Sequence, residues 1–362
     1  MPTRRAHCAR SFSGYFGVSE GEELKHKQDD DRIESGPRRN LLKAATGAVA
    51  FGALRGAGGL GALSALAVSV PARAQGGKTL RIGFQKYGNF VVLKARGTLE
   101  KRLAAQGWSV QWFEFPGGPQ LLEGLNAGAV DVGTVGETPP IFAQAGGVDF
   151  VYAGREPPAP KAEAIVVPHG SSIRTPADLR GKRVALNQGS NVHYLLVEAL
   201  RHANVGYNEI EPVYLAPADA RAAFANGSVD AWAIWDPYFA AAERQLNARS
   251  IADGTGLVRN TQYYLSSRKF AVAQPQIVHA LLDEVAQVDA WARGNIPAVA
   301  AQLSPLVDLD PATLELALGR TSYGVFPVDS ATLAYQQQIA DTFTALKLIP
   351  KKIVVTETRW QT

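Results

Sequence analysis

The chain has 362 residues, with 37 Lys+Arg against 33 Asp+Glu for a net charge of +4, one cysteine and one methionine. That length holds two lobes with real cores, while the lone Cys8 excludes an intrachain disulfide and a cysteine metal site. The basic excess sits in residues 1–74, and the remainder carries 26 basic and 26 acidic residues, so no basic face for nucleic acid is indicated.

In chain order, Arg38-Arg39-Asn40-Leu41-Leu42-Lys43 precedes an Ala/Gly/Leu-rich stretch ending in Ala72-Arg73-Ala74. This reads as a twin-arginine export leader, residues 1–74, removed before folding is considered. Arg55 divides the apolar stretch into pieces too short to span a bilayer, which takes about 20 residues. An exported, periplasmic product is expected.

From Leu80, short β-rich runs alternate with helical stretches, the pattern of βαβ units in parallel sheets. The predicted strands are Leu80–Phe84, Val110–Phe115, Val130–Thr134, Phe150–Ala153, Ala164–Val167, Arg183–Leu186, Val213–Leu215, Ala231–Trp235 and Tyr263–Ser266. Helices are expected at Val92–Gln106, with Leu93, Leu99 and Leu103 on one stripe, and at Tyr194–Ala203. A helical tail follows, over Gln276–Ala292, Pro297–Leu303, Pro311–Leu318 and Ser330–Leu346, and is expected to return to the first lobe. Pro157-Pro158-Ala159-Pro160 is the plainest linker. No internal repeat stands out.

Four strand-to-helix junctions carry polar or aromatic groups, and ligands of open α/β sheets lie outside the carboxyl ends of strands, near free helix N–H groups. The first is Gln85-Lys86-Tyr87-Gly88-Asn89. In the second, Thr134 and Thr138 offer hydroxyls and Pro139 starts a helix, while Glu137 either faces the cleft or flanks that start. The third, Gly189-Ser190-Asn191-Val192-His193, offers an N-cap and free first-turn amides, with His193 either structural or a donor to an oxyanion. At the fourth, Trp235 and Asp236 either meet a ligand or form a buried tryptophan and a helix cap. Gly117-Gly118-Pro119 reads as a turn. Four scattered histidines after residue 74 give no metal-ligand spacing, and no Walker loop or nucleophile elbow is present, so neither metal nor cofactor is expected.

The ordered segments Arg81-Ile82-Gly83-Phe84-Gln85-Lys86, Glu114-Phe115-Pro116-Gly117-Gly118-Pro119-Gln120, Pro139-Pro140-Ile141-Phe142 and Asp230-Ala231-Trp232-Ala233-Ile234-Trp235-Asp236-Pro237-Tyr238 resemble the aliphatic sulfonate-binding proteins of ABC import systems. The resemblance implies a two-lobed type II periplasmic binding fold with two crossovers. Lobe 1 is then 75–166 with 265–362, and lobe 2 is 167–264. It further implies an alkanesulfonate ligand, a separate permease and ATPase, and a ligand shell including Gln85, Thr134, Ser190, Trp235 and Asp236. Tyr87 would cover the carbon chain. A monomer without catalytic residues is expected; taurine, nitrate or a thiamine-pyrimidine precursor is the alternative ligand, and an enzyme on the same fold the alternative class.

Overall fold

The computed structural model describes residues 78–86 and 88–360. The leader assigned to 1–74 and the position of Tyr87 lie outside the described residues.

Among the described residues ten strands form: β1 Lys78–Phe84, β2 Trp108–Glu114, β3 Val132–Val135, β4 Phe150–Arg155, β5 Glu163–Pro168, β6 Arg183–Leu186, β7 Glu211–Tyr214, β8 Ala231–Trp235, β9 Ala248–Asp253 and β10 Tyr263–Ser267. They build two five-stranded sheets, ordered β2-β1-β3-β10-β4 and β7-β6-β8-β5-β9. Nine strands match the sequence expectation; β9, a half-buried edge strand without alternation, is the addition.

The sheets are mixed rather than parallel throughout. β1 runs parallel to β2 and β3, and β6 to β7 and β8. However, β10 is antiparallel to β3 and β4, and β5 to β8 and β9. Helical crossovers return a chain in the same direction, whereas an extended segment passing between sheets enters the second one reversed. β5, which spans the boundary expected at residue 166, pairs with β8 and β9 of the second sheet.

Among the described residues twelve α-helices surround the sheets: α1 Asn89–Arg96, α2 Thr98–Ala104, α3 Gly118–Asn126, α4 Pro139–Ala145, α5 Asn191–His202, α6 Pro217–Ala225, α7 Tyr238–Gln245, α8 Arg268–Ala273, α9 Pro275–Ala292, α10 Ile296–Val307, α11 Pro311–Leu318 and α12 Ser330–Ala345. The single helix expected at 92–106 is two, because Gly97 adopts φ 62° and its N–H turns back to the carbonyls of Leu93 and Lys94. Leu93, Leu99 and Leu103 still share one core.

The helical tail reaches both sheets. Arg155 of β4 pairs through its backbone with Phe326, as expected for a return to the first sheet. Yet Arg320 bonds Asp236, Arg244 of α7 bonds Thr313 of α11, and Phe343 of α12 packs in the core that contains the second sheet.

A repeat does exist, at the level of the strand pair. In the first sheet, Arg81 donates its backbone N–H (2.9 Å) and guanidinium (2.5 Å) to Asp131, while Asp131 N–H returns to Arg81 O. In the second, Arg183 donates in the same way to Asp230 at 2.9 and 3.1 Å, with Asp230 N–H returning to Arg183 O. The segments Asn126-Ala127-Gly128-Ala129-Val130-Asp131 and Ala225-Asn226-Gly227-Ser228-Val229-Asp230 carry this clip; it escapes a search for long periods because only a few residues of each copy repeat.

Packing of α3 on the first sheet depends on two facing glycines. Gly83 and Gly133 pair across β1 and β3, and a Cβ on them would lie 2.9 and 2.3 Å from the Leu121 side chain. Leu121 is fully buried in this socket. Leu121→Ala is expected to cost about 2–5 kcal/mol, through a cavity that the sheet cannot close. Gly133→Val is expected to cost about 1–3 kcal/mol by overpacking; urea unfolding that finds either variant as stable as the parent would refute the socket.

Candidate ligand cleft

The carboxyl ends of the strands converge on a small cavity. Gln85 after β1, Gly118 at the start of α3, Gly136 and Pro139 after β3, Ser190 and Asn191 at the start of α5, and Trp235 at the end of β8 line it. Asn260 and Gln262, from the second crossover, complete the wall. No ionisable side chain is among them.

The donors come chiefly from backbone. The first N–H groups of any helix lack intrahelical acceptors, and those of Asn191 and Val192 at the start of α5 find none in the surrounding loop. Ser190 Oγ donates to Asn187 O at 2.6 Å, and Gln85 Nε2 to Thr134 O at 3.0 Å. The hydroxyls of Thr134 and Thr138 and the side-chain carbonyl of Asn187 are buried without a partner. Thr134 and Thr138 sit just behind the cleft surface rather than on it.

The α4 start differs from the sequence reading. Pro139 and Pro140 do begin this helix, but neither has an N–H, and the Thr138 N–H already goes to Asn191 Oδ1 at 3.3 Å. The junction therefore contributes shape and an interlobe bond in place of amide donors.

Three ionisable residues turn away from the cleft. Glu137 is fully buried and accepts the N–H groups of Asn260 (3.1 Å) and Thr261 (3.0 Å), so it clamps the second crossover. Burial raises its pKa to about 7, against the lowering effect of those two N–H donors. Asp236 is also fully buried; it caps α7 through Ala240 N–H at 3.0 Å and pairs with Arg320 at 3.5 Å. Its pKa is raised to about 7, with burial outweighing Arg320. His193 accepts the Gly189 N–H on Nδ1 at 3.1 Å and meets the Tyr207 hydroxyl through Nε2 at 2.8 Å, leaving neither nitrogen for a guest. Each is engaged within the wall: Glu137 and Asp236 because a buried carboxylate requires partners, and His193 because a buried neutral ring still needs hydrogen bonds.

Asn89 is likewise drawn inward, donating to Asp289 Oδ2 at 2.9 Å. Gly189 has φ 72°, and a Cβ there would press within 3.1 Å of the Phe142 ring, so this position serves backbone geometry and close lobe approach. Gly136 is tighter still: a Cβ would lie 1.9 Å from Asn191 Oδ1.

Sequence reasoning missed Gly118, Gly136, Asn260 and Gln262 as cleft residues. The polar run Arg259-Asn260-Thr261-Gln262 before β10 was the available signal, but an extended connection has no helix start to draw attention. Among the described residues no group of three or more His, Cys, Asp or Glu is placed to hold a metal, and no helix is long and apolar enough to cross a membrane.

Two mixed sheets joined by paired extended crossovers, with an uncharged polar cleft fed by both, define a periplasmic-type solute-binding protein. The NMT1/THI5 like family model matches residues 104–295, and the chain belongs to that family. The alkanesulfonate-binding protein SsuA from Xanthomonas axonopodis pv. citri, solved bound to MOPS, is 42% identical with a TM-score of 0.76, over 78% of this chain and 98% of that one. The periplasmic aliphatic sulphonate binding protein SsuA from Escherichia coli is 43% identical with a TM-score of 0.72, over the same 78% and 98%. A taurine-binding periplasmic protein of Escherichia coli (strain K12) is 29% identical over 52% of this chain and 58% of its own length.

Burial lowers the His193 pKa to about 3, against about 6.5 in the unfolded chain. The unfolded state alone then takes up this proton as pH falls, so the residue's contribution is complete above about pH 6.5 and is lost toward pH 3. NMR is expected to show no His193 titration between about pH 4 and 8, and the stability advantage over His193→Gln is expected to shrink on acidification. A ring titrating near its unfolded value would refute the buried, neutral assignment.

Proposed function

We propose that the protein captures an aliphatic sulfonate in this cleft outside the inner membrane and presents it to the permease of an ATP-driven importer, whose permease and ATPase are separate chains. The observation that carries the reading is a cleft of amides, a hydroxyl and one indole face, without an ionisable side chain among the described residues that line it, in a chain 42% and 43% identical to two sulfonate-binding proteins. Several fixed N–H donors replace water around a sulfonate's three oxygens, and charge-assisted bonds of this kind are the strong ones.

The proposed head-group shell is the α5 amides with Ser190, Asn191 and Gln85, joined by the Gly118 N–H, Asn260 and Gln262. Trp235 faces the carbon chain, with Tyr87 retained as a proposed cover. Thr134 and Thr138 support this shell from behind. The lobes divide at the two crossovers, around residues 156–162 and 254–262, which places β5 in lobe 2. Export through the twin-arginine leader and action as a monomer complete the proposal. The reading is of reversible binding without catalysis, since the only cysteine is Cys8 and a desulfinase-like cysteine nucleophile is therefore missing after residue 74.

Taurine is the second reading, favoured by the 29% identical taurine-binding relative. Against it, Glu137 and Asp236 are committed within the walls, so no carboxylate meets an ammonium group.

Isothermal titration with ethane-, butane- and octanesulfonate and taurine is expected to show one site per chain for the simple sulfonates, with no sulfite or sulfate released. Silence with all four sinks the proposal. Because Glu137 faces the crossover, Glu137→Gln is expected to leave the ratio of ethanesulfonate to taurine affinity within about threefold, under about 1 kcal/mol. Selective loss of taurine would instead place that carboxylate on the ligand.

A further inference from the structure

The second crossover has two working faces. Asn260 and Gln262 line the ligand cleft, whereas the alternate residues Arg259 and Thr261 line a separate niche of about 220 Å³ behind the hinge. This is the period-two alternation of extended backbone. Arg155 and Pro158 approach from the first crossover, and Asp329 and Thr332 from the start of α12.

The two arginines are oriented, and neither is in direct contact with a carboxylate among the described residues. The Arg259 guanidinium lies 4.1 Å from the Tyr335 ring centre and that of Arg155 5.4 Å from the Phe326 ring, and such stacking pre-orients the planar donor fork. Neither forms an ion pair among the described residues. Arg155 Nε is buried without an acceptor, and its Nη1 reaches only the Glu156 carbonyl, at 3.5 Å. The niche's carboxylate, Asp329, already accepts the Thr332 N–H at 2.7 Å and hydroxyl at 2.6 Å as the cap of α12. The lining holds two cations and one engaged anion, with Glu137 behind the Tyr335 hydroxyl as the nearest further carboxylate to Arg259, and the niche is large enough for a small ion and a few waters, at about 30 Å³ each.

We propose that this niche is a second binding site, for a small oxyanion of the carboxylate or phosphate type, and that its occupancy alters the affinity of the cleft. The connection is short. Arg259 N–H donates to the Tyr335 hydroxyl (3.1 Å), which donates to Glu137 Oε1 (3.4 Å). The same oxygen accepts the Asn260 N–H, and Asn260 Oδ1 accepts from Asn191 of the cleft at 2.6 Å. The crossovers are also zipped together by Glu156 N–H to Gln262 O (2.9 Å) and Ala159 N–H to Arg259 O (3.1 Å). An anion bridging Arg155 and Arg259 ties both crossovers at once, and any preference for one hinge geometry shifts the cleft by the same free energy. The coupling rests on the sulfonate-binding reading; the site itself does not.

The test is calorimetric titration of the full mature chain with inorganic phosphate and, separately, succinate, in the absence and presence of saturating ethanesulfonate. At least one probe is expected to bind one site that ethanesulfonate does not displace, and the probe that binds identifies the oxyanion type. Arg259→Gln, at an exposed position that leaves the fold intact, and Arg155→Gln are each expected to weaken that binding about tenfold or more, through loss of a charge-assisted donor fork. The bound probe is expected to shift the ethanesulfonate Kd severalfold in the parent and not in Arg259→Gln. No binding of either probe at millimolar concentration overturns the site, as does binding that Arg259→Gln leaves unchanged. Arginine-dependent binding with an unmoved ethanesulfonate Kd overturns the coupling. If the chain takes up no sulfonate at all, the arginine dependence still decides the site, so the two failures read separately.

Discussion

One buried carboxylate organises the centre of this molecule. Glu137 leaves the end of β3 and accepts the N–H groups of Asn260 and Thr261, fixing a stretch of chain that lines both the cleft and the niche behind it. Desolvation pushes its pKa up to about 7, and the backbone donors work against that rise. Glu163, fully buried nearby with both oxygens unpartnered, is held well above the usual carboxylate range by burial first and by the charge of Glu137 second. Glu137 has the backbone donors that favour a charged carboxylate, and Glu163 has none.

Around that clamp the two sheets are built alike. Each holds its central parallel strands with an Arg–Asp clip, Arg81–Asp131 in one and Arg183–Asp230 in the other. Each delivers glycine, amide or hydroxyl groups from its strand ends to the cleft, and under the proposed function a charged guest is met there by fixed dipoles instead of by opposite charge. This arrangement suits a carrier: a guest gripped by an arginine in a closed, dehydrated site would leave a costly bare cation on departure, whereas amides return to water cheaply.

The shape of the cleft depends on what is missing from side chains as much as on what is present. Gly136 lets the Asn191 amide cross between lobes, and Gly189 lets Phe142 lie against the α5 turn. Phe142 in turn stacks edge-on with Phe343 at 4.9 Å and lies 5.8 Å from the His193 ring. His193 thus belongs to an aromatic layer under the cleft floor, with both nitrogens engaged, and the layer carries α12 into contact with α4 and α5.

Much of this was legible from residue order alone. The β-rich runs at 183–186 and 231–235 have the bounds observed for β6 and β8, since buried strands read as short apolar runs between turn signals. The importance of Gln85, Ser190, Asn191 and Trp235 followed from their position at strand-to-helix junctions, a property of local sequence, and all four line the cleft. Tertiary structure alone decided the direction in which Glu137, Asp236 and His193 point, the reversed entry of β5 and β10 into their sheets, and the presence of Asn260 and Gln262 in the wall. Local sequence governs which backbone forms where. The destination of a buried polar side chain is set by partners as distant along the chain as Glu137 and Asn260, and no periodicity within a short window records that pairing.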